Sequence, residues 1–193
     1  MAEVNLYFPT PIYIESNLFD EEQNEQWTNK ILELQQSIPS GGDEWQGNTY
    51  TTHNTYNLML DDDFKPLITS ITSHVSAFAK EFNSVYDHVC NSAWGNINLP
   101  GTFQEYHAHP GSVFSCVYYP SIPEGSGNIV FESPFVPDMS PVKSITQQNH
   151  LTFENISYTP KNGTLIIFRS FIKHCVKQGT NVEPRVSIAL NFG

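Results

Sequence analysis

Residues 105–119 read EYHAHPGSVFSCVYY and contain the pattern from which both the fold and the site can be predicted. His107 and His109 stand at positions i and i+2 of a predicted β-strand, so their imidazoles point to the same face. Two imidazoles on one face form a metal chelate, and imidazole is a ligand that suits iron. We therefore expect a core strand that also carries part of a metal site.

Two features further along the chain extend this pattern. His174 follows the strand-like run GTLIIF at 163–168, and Arg185 opens the last predicted strand at 185–192. A close pair of ligands, a distant histidine and a cation soon after it form the linear pattern of a mononuclear iron site with an anionic co-substrate. The planar guanidinium of arginine binds a carboxylate in a two-pronged fashion.

A plainer interpretation is that these are ordinary core or surface histidines and that Arg185 pairs with a surface acid. The HxH pair, with a distal histidine after a buried strand, argues against it. The other histidines have no companion at strand or helix spacing, and we expect them to be structural or exposed: His53, His74, His88 and His150.

The length and composition favour one mainly β domain. The chain has 193 residues with 13 Phe and 9 Tyr, and it is large enough to bury a core without disulfides. We expect a single domain over 1–193, with an N-terminal strand and supporting helices in 1–92 and a metal-binding β core in 93–193.

Short apolar segments separated by turns predict a jelly roll of two packed sheets, cupin-like, with flanking helices. Amphipathic spacing predicts helices over 20–38 and 67–82. The predicted strands cover 6–15, 93–99, 103–109, 113–119, 128–132, 151–158, 164–169 and 185–192. The polar segments 43–57 and 134–148 are expected to be loops near the pocket that select the substrate.

The charge and the cysteines limit the partners and the compartment. The formal net charge is −11, and only nine Lys and Arg residues are present, which disfavours nucleic acid and anionic membrane surfaces as partners. Three cysteines without CxxC spacing, together with an N-terminus that lacks a signal-peptide pattern, favour a reduced, cytoplasmic protein.

Three stretches resemble one family along nearly the whole chain. FPTPIYIESNL at 8–18, the segment at 93–134 and the segment at 163–192 follow, in order, the pattern of the Fe(II)/2-oxoglutarate-dependent dioxygenases. The chain is most similar to the small 2OG-Fe(II) oxygenase family of bacteria and tailed phages. The HxH pair, the paired tyrosines, the distal histidine and the RxS ending also resemble the prolyl hydroxylase branch.

The resemblance implies a double-stranded β-helix and two groups of site residues. The Fe(II) ligands would be His107, His109 and His174. The residues that would contact the 2-oxoglutarate co-substrate are Arg185, Tyr119, Asn98 and Ser187. Tyr118 and Tyr119 alternate across their strand, so only one of them faces the interior.

The chain departs from the common family pattern at one ligand. The usual HxD motif is HAH here, so His109 stands at the position of a carboxylate. A neutral ligand leaves the iron centre more positively charged, unless a nearby carboxylate such as Glu105 supplies the charge.

The expected activity is an Fe(II)- and 2-oxoglutarate-dependent oxygenase reaction that consumes O₂, hydroxylates a prime substrate and releases succinate and CO₂. The prime substrate, a peptidyl residue or a small metabolite, is not identified by the sequence. A homodimer through the edge strand near Leu6 is compatible with it, and a phage origin would imply the host cytoplasm.

Two rival hypotheses stay open at this point. One is a three-histidine, cupin-like metalloenzyme that does not use 2-oxoglutarate. The other is a non-catalytic jelly-roll binding module, since a fold does not dictate a function. The orientation of Arg185 discriminates the first rival: an Arg185 that points into the pocket favours 2-oxoglutarate.

Overall fold

Two antiparallel sheets form the core of the protein in a computed structural model, which describes residues 3, 5, 7–42, 45–135 and 144–193. The major sheet has the strand order β1-β8-β5-β10-β3-β2. Its strands are β1 (Tyr13–Glu15), β2 (Tyr50–Thr51), β3 (Cys90–Asn98), β5 (Phe114–Ser121), β8 (Thr164–Arg169) and β10 (Arg185–Phe192).

The minor sheet has the order β4-β9-β6-β7. Its strands are β4 (Gln104–His107), β6 (Ile129–Glu132), β7 (Asn155–Tyr158) and β9 (His174–Val176). Tyr119, Ile166 and Phe168 of the major sheet and Ile129 and Phe131 of the minor sheet form one buried apolar cluster. The predicted jelly roll with flanking helices is confirmed.

Two helices pack on the major sheet. Helix α1 (Glu21–Ser37) begins after Asp20, whose side chain accepts a hydrogen bond from the backbone N–H of Gln23. Its buried stripe contains Trp27, Ile31 and Leu34, at the spacing that the sequence predicts. Helix α2 (Lys65–Lys80) follows two short 3₁₀ turns, at Leu58–Leu60 and Asp62–Phe64.

Helix α1 approaches β3 closely at one point. A Cβ atom on Gly95 would lie 2.4 Å from Cδ1 of Ile31, a side chain that is fully buried. Glycine at this position therefore lets the helix rest directly on the sheet behind the site.

The strand predictions fail at three places. The predicted strand over 103–109 ends at His107, because Pro110 and Gly111, with a φ of +90° at the glycine, turn the chain toward β5. The predicted strand over 151–158 begins only at Asn155. Asn149 accepts hydrogen bonds from the backbone N–H groups of Leu151, on its side-chain oxygen, and Thr152, on its carbonyl oxygen, and these bonds hold a turn before the strand.

The third failure is the first strand, which was predicted over 6–15. Only Tyr13–Glu15 pairs with β8, because prolines at 9 and 11 lack the N–H groups that a ladder needs. Leu6 lies outside the described residues, as do parts of the predicted loops, at 43–44 and 136–143.

Residues from both halves of the chain share the main hydrophobic core, where Ile31 and Ile71 pack with Leu165 and Leu190. Among the described residues, none of the helices combines the length and the apolar character needed to cross a lipid bilayer.

Candidate active site

The three predicted iron ligands come together between the two sheets. Each of His107, His109 and His174 offers one nitrogen, and these three atoms lie within 4.8 Å of one another. His107 ends β4 and is paired with His174 of β9, while His109 lies in the turn after β4. Within the described part of the chain, no other group of three or more such side chains is arranged to hold a metal ion.

A β-bulge in β4 brings the first histidine to the interior. Gln104 pairs with Val176 and His107 pairs with His174, so three steps along β4 match two steps along β9. Side chains alternate along a regular strand, so residues three apart would face opposite sides. The extra residue lets both Gln104 and His107 face the cavity.

His109 is held by the turn instead of by a strand. Its backbone N–H donates to the carbonyl oxygen of Ser170 at 2.9 Å, at the end of β8. The side chains of His107 and His109 converge as expected, but only His107 belongs to the strand.

Backbone carbonyls orient two of the imidazoles. Nδ1 of His107 lies 2.7 Å from the carbonyl oxygen of Glu105, and Nδ1 of His174 lies 3.0 Å from that of Ile172. A carbonyl only accepts, so both Nδ1 atoms carry the proton and both Nε2 atoms are free as ligands. Such partners fix the ring orientation of metal-binding histidines.

The electrostatics of the site keep these imidazoles neutral. Burial lowers the pKa of His109 to about 4, with a further contribution from the neighbouring rings of His107 and His53. Burial also lowers the pKa of His107 and, more strongly, that of His174. Neutral imidazole is the form that binds a metal, so the three residues fit Fe(II).

Glu105 is not one of the three converging side chains. Its Oε1 accepts a hydrogen bond from the backbone N–H of Gln46, and its Oε2 is buried without a partner among the described residues. The charge of Glu105 opposes the effect of burial on the pKa of His107. Glu105 therefore acts on the site through its charge near His107 and is not part of the converging group.

Arg185 lies in the same cavity as the three histidines. This inner cavity is lined by His107, His109, His174, Arg185, Tyr119, Ser187, Asn96, Gln104 and Trp94, among others. The side chain of Arg185 is 1% exposed, and none of the ion pairs among the described residues involves it. A buried guanidinium without a carboxylate is an anion receptor, because an unpaired buried charge is costly.

The hydrogen bonds of Arg185 leave two of its nitrogens free for a ligand. Nη1 donates to Oδ1 of Asn98 at 2.7 Å and reaches Oγ of Ser187 at 3.5 Å. Nε and Nη2 are buried and have no partner within the described structure. The geometry offers the planar donor set that a carboxylate needs.

The two tyrosines of β5 face opposite ways. Tyr118 is buried on the helix side, where its hydroxyl hydrogen-bonds Oδ1 of Asn24 in α1. Tyr119 faces the inner cavity, with the guanidinium of Arg185 5.1 Å from its ring centroid. Burial raises the pKa of Tyr119 to about 12 against the opposing charge of Arg185, so its phenol is protonated.

The other two predicted co-substrate residues lie beside Arg185. Asn98 is fully engaged with the protein: Oδ1 accepts from Arg185, and Nδ2 donates to the hydroxyls of Thr49 at 2.8 Å and Thr102 at 3.3 Å. Ser187 is buried and lies two residues after Arg185 on β10, so the two side chains share a face of the strand. Asn96, for which the sequence pattern predicts no role, also lines the cavity, and its amide oxygen has no partner among the described residues.

A second, wider pocket of about 320 Å³ opens beside His107 and His109. This outer pocket is lined by Trp45, Thr51, His53, Trp94, Gln104 and Asn191 together with the two ligands and their neighbours. The indole of Trp45 lies 4.8 Å from the ring of His107, and Trp94 lies 5.7 Å from that of His109, as distances between centroids.

His53 was expected to be structural or exposed, and the outer pocket gives it a different environment. Its ring packs edge-on against Trp94 with 4.9 Å between centroids. His53 follows β2 in the segment 43–57, which the sequence predicts as a loop near the pocket, but no strand or helix periodicity singles out this position.

Comparison with known protein families agrees with this geometry. The profile of the family described as "Putative 2OG-Fe(II) oxygenase" matches residues 92–191, just over half of the chain. The chain belongs to this 2OG-Fe(II) oxygenase family. The protein is therefore an Fe(II)- and 2-oxoglutarate-dependent oxygenase that uses O₂. A search of curated protein sequences gave no match.

Solved structures of oxygenases share the fold of this family member at low sequence identity. A prolyl-4-hydroxylase from Pseudomonas putida has a TM-score of 0.64 and 11% identity, covering 95% of this chain and 92% of its own. A viral collagen prolyl hydroxylase from Paramecium bursaria Chlorella virus-1, solved with 2OG, has a TM-score of 0.63 and 11% identity, covering 94% of each chain.

A third similar structure is HygX from Streptomyces hygroscopicus, solved with nickel and 2-oxoglutarate. Its TM-score is 0.65 at 10% identity, and the match covers 95% of this chain and 83% of HygX. These likenesses establish the double-stranded β-helix of the 2OG-Fe(II) oxygenase family for this chain.

Proposed function

We propose that this oxygenase hydroxylates a prime substrate held in the outer pocket, with 2-oxoglutarate in the inner cavity between Arg185 and the three histidines. The observation that carries the proposal is the buried guanidinium of Arg185, which has no carboxylate partner within the described structure and lines the same cavity as the histidines. A three-histidine enzyme that does not use 2-oxoglutarate has no need of this cation.

The protein residues have separate roles in this proposal. His107, His109 and His174 hold the metal through neutral imidazoles, two of them oriented by backbone carbonyls. Arg185 binds the distal carboxylate of 2-oxoglutarate through its two free nitrogens, and the protonated Tyr119 phenol donates to the same group. Ser187 lies beside that carboxylate and adds a hydroxyl.

Asn98 has a supporting role. Its Oδ1 holds Nη1 of Arg185, and its Nδ2 is anchored on Thr49, whose hydroxyl donates to the carbonyl oxygen of Phe103. This chain of hydrogen bonds fixes the guanidinium before the co-substrate arrives, which reduces the entropy lost on binding. Asn98 is thus a positioning residue for Arg185.

Bound Fe(II), with 2-oxoglutarate and O₂, supplies the oxidising chemistry: one oxygen atom enters the prime substrate as a hydroxyl group, and the other enters succinate as CO₂ leaves. The protein keeps the co-substrate cavity narrow and largely apolar, with Val117, Ile129 and Phe168 in its walls. Walls of this kind exclude water from the reacting centre.

The outer pocket supports the placement of the prime substrate. It shares Trp94, Gln104, His107 and His109 with the inner cavity, and Arg185 is not among its described lining residues, so a ligand there would lie next to two metal ligands and apart from Arg185. Trp45 and Trp94 supply apolar faces, while Thr51, His53 and Asn191 supply hydrogen-bonding groups. Few polar groups among aromatic walls are typical of small-ligand sites.

Succinate formation tests the proposal. Protein loaded with Fe(II) under anaerobic conditions is given 2-oxoglutarate and then O₂, and wild type is compared with His174→Ala, Arg185→Ala and the control Arg169→Lys. Arg169 is a cation outside the inner cavity, stacked on Phe82, Phe114 and Phe171. We expect succinate from wild type and the control, and none above background from the other two variants.

A wild-type protein that binds metal but neither binds nor consumes 2-oxoglutarate would overturn the proposal in favour of the cupin-like rival. Failure to bind metal at all would favour the non-catalytic jelly-roll module.

A further inference from the structure

One edge of strand β3 is only partly covered. Along its other edge, β3 pairs with β10 over its whole length. On the open side, β2 pairs with Asn96 and Ile97. Gly95 comes next: its carbonyl oxygen accepts from the backbone N–H of Thr52 at 2.9 Å, and its N–H donates to Oγ1 of Thr52 at 3.0 Å. Within the described structure, no strand pairs with the part of this edge that precedes Gly95.

Ala93 is the next residue whose backbone points to the open edge. Backbone groups of alternate residues in a strand point to the same side, so the N–H and C=O of Ala93 point the same way as those of Gly95. The register against β10 is regular here, with Ala93 opposite Leu190 and Gly95 opposite Ile188. Neither the N–H nor the C=O of Ala93 has a partner among the described residues, and Ala93 is only 3% exposed. Buried backbone groups without a partner are rare, so these two call for one from outside the chain.

A groove leads from this edge to the metal ligands. A pocket of about 400 Å³ is lined by residues 53–57 and 92–94. It shares His53 and Trp94 with the outer pocket, which lies beside two of the metal-binding histidines. We call these two adjoining pockets the β3 groove. The methyl group of Ala93 packs in the main hydrophobic core, so the backbone of this residue is the part that the groove can reach.

The chemistry of the β3 groove suits an uncharged ligand that forms hydrogen bonds. Its described lining residues include no Asp, Glu, Lys or Arg, although the protein has a net charge of −11. Amide and hydroxyl side chains line the part next to β3, at Asn54, Thr55 and Asn57. A polypeptide main chain is uncharged and offers a donor and an acceptor at nearly every residue, which is what an open strand edge binds. A phosphorylated or carboxylated metabolite finds no cation in this groove.

We propose that the prime substrate is a polypeptide that lies along the open edge of β3 as an added strand, an inference that rests on the function proposed above. Its backbone accepts a hydrogen bond from the N–H of Ala93 and donates one to the carbonyl oxygen of Ala93. A neighbouring residue of the substrate then enters the outer pocket, next to the metal ligands. Main-chain pairing supplies affinity in this mode, and the pocket selects the side chain that reacts.

The first test uses pools of short peptides with blocked termini. Their central residues are varied and uncharged, and a lysine at each end favours approach to a protein of net charge −11. The Fe(II)-loaded wild-type protein receives 2-oxoglutarate, O₂ and one pool, and mass spectrometry detects the gain of one oxygen atom. A parallel reaction receives a pool of free amino acids and neutral sugars. We expect hydroxylated product from the peptides and none from the small molecules.

The second test asks whether the backbone of the substrate pairs with β3. A peptide that reacts is made again with a methyl group on each amide nitrogen in turn. Methylation at one position should abolish hydroxylation, because it removes the donor to the carbonyl oxygen of Ala93. Methylation of the next amide, which points away from the edge, should have a much smaller effect.

Ala93→Pro tests the same contact from the protein side. Proline removes the N–H on the open edge and leaves the pairing with β10 intact, and Ala93→Gly is the control that keeps the N–H. We expect Ala93→Pro to raise the KM for the peptide at least about 10-fold, the loss of one hydrogen bond, with the affinity for 2-oxoglutarate unchanged. If Ala93→Pro folds poorly, as its melting temperature will show, the methylated peptides decide on the wild-type protein.

Three results would overturn the inference. They are product from the small-molecule pool alone, no product from any peptide pool while 2-oxoglutarate is still converted to succinate, and a reacting peptide that tolerates methylation at every amide. Failure of the wild-type protein to bind or consume 2-oxoglutarate would instead overturn the proposed function.

Discussion

At the scale of single residues, the site depends on three neutral imidazoles. His174 is buried and the other two are half-buried, and backbone carbonyls orient His107 and His174. A neutral His109 in place of the usual carboxylate makes metal binding depend on the number of ligands and their orientation rather than on charge. Each imidazole should therefore matter about equally for affinity.

We predict that His107→Ala, His109→Ala and His174→Ala each weaken Mn(II) binding by more than about 100-fold, because the loss of a direct ligand costs more than the 10- to 100-fold lost with a residue that only orients a ligand. Calorimetric titration of the metal-free proteins measures this. His150→Ala, at an exposed position, is the control and should bind as wild type does. Wild-type affinity in any of the three variants would remove that histidine from the site.

A second residue-scale prediction concerns the shape of the Arg185 side chain. Arg185→Lys keeps the charge but loses the planar fork and the donor to Asn98. We expect the affinity for 2-oxoglutarate to fall at least about 30-fold, the lower end of the cost of breaking a buried charged pair. Arg169→Lys is the matched control. Equal affinity in both variants would show that only charge matters at position 185.

At the scale of elements, strand β5 uses its two faces for different purposes. Tyr118 attaches the strand to α1 through Asn24, and Tyr119 faces Arg185. We therefore expect Tyr118 to contribute to stability and Tyr119 to contribute to ligand binding.

We predict that Tyr118→Phe lowers the free energy of unfolding by about 1 kcal/mol, the net value of one hydrogen bond, and leaves 2-oxoglutarate affinity unchanged. Tyr119→Phe should weaken 2-oxoglutarate binding with little effect on unfolding, since its hydroxyl has no partner among the described residues. Urea denaturation and calorimetry give the two readouts. The reverse result would mean that the assignment of the two faces is wrong.

The contact between α1 and β3 gives another element-scale prediction. Gly95→Ala would place a methyl group 2.4 Å from Cδ1 of Ile31, so we expect a loss of about 1–3 kcal/mol in unfolding free energy. Ile31→Val removes that Cδ1 atom. In the double variant the two costs should not add, and a double-mutant cycle measures the difference. Simple additivity would contradict the close approach.

At the scale of the whole molecule, the sequence predicts the class of fold and most of the site, because both follow from local patterns. A continuous apolar run identified the buried strand at 164–169, and the HxH spacing with a distal histidine identified the metal ligands as candidates. The buried stripe of α1 followed from helical spacing. These features need no knowledge of how the sheets pack.

Other features depend on tertiary structure and could not be predicted. The bulge in β4 is visible only when its register against β9 is known. The sequence predicts that 43–57 lies near the pocket, but the outer pocket itself depends on how Trp45, Thr51 and His53 pack around Trp94. The difference in hydrogen bonding between Asn96 and Asn98 depends on which amide Arg185 reaches. The family resemblance points to Asn98 as a co-substrate contact, but both ends of its amide are engaged by Arg185 and Thr49.

The central claim is that one cavity binds Fe(II) through three histidines and 2-oxoglutarate through Arg185. The most direct measurement is the visible metal-to-ligand absorption band that forms when 2-oxoglutarate chelates Fe(II), recorded anaerobically by titration of the wild-type protein, His174→Ala and Arg185→Lys. We predict a saturable band for wild type, none for His174→Ala, and saturation only at much higher concentration for Arg185→Lys. A wild-type protein that binds Fe(II) but gives no band at any 2-oxoglutarate concentration would contradict the account.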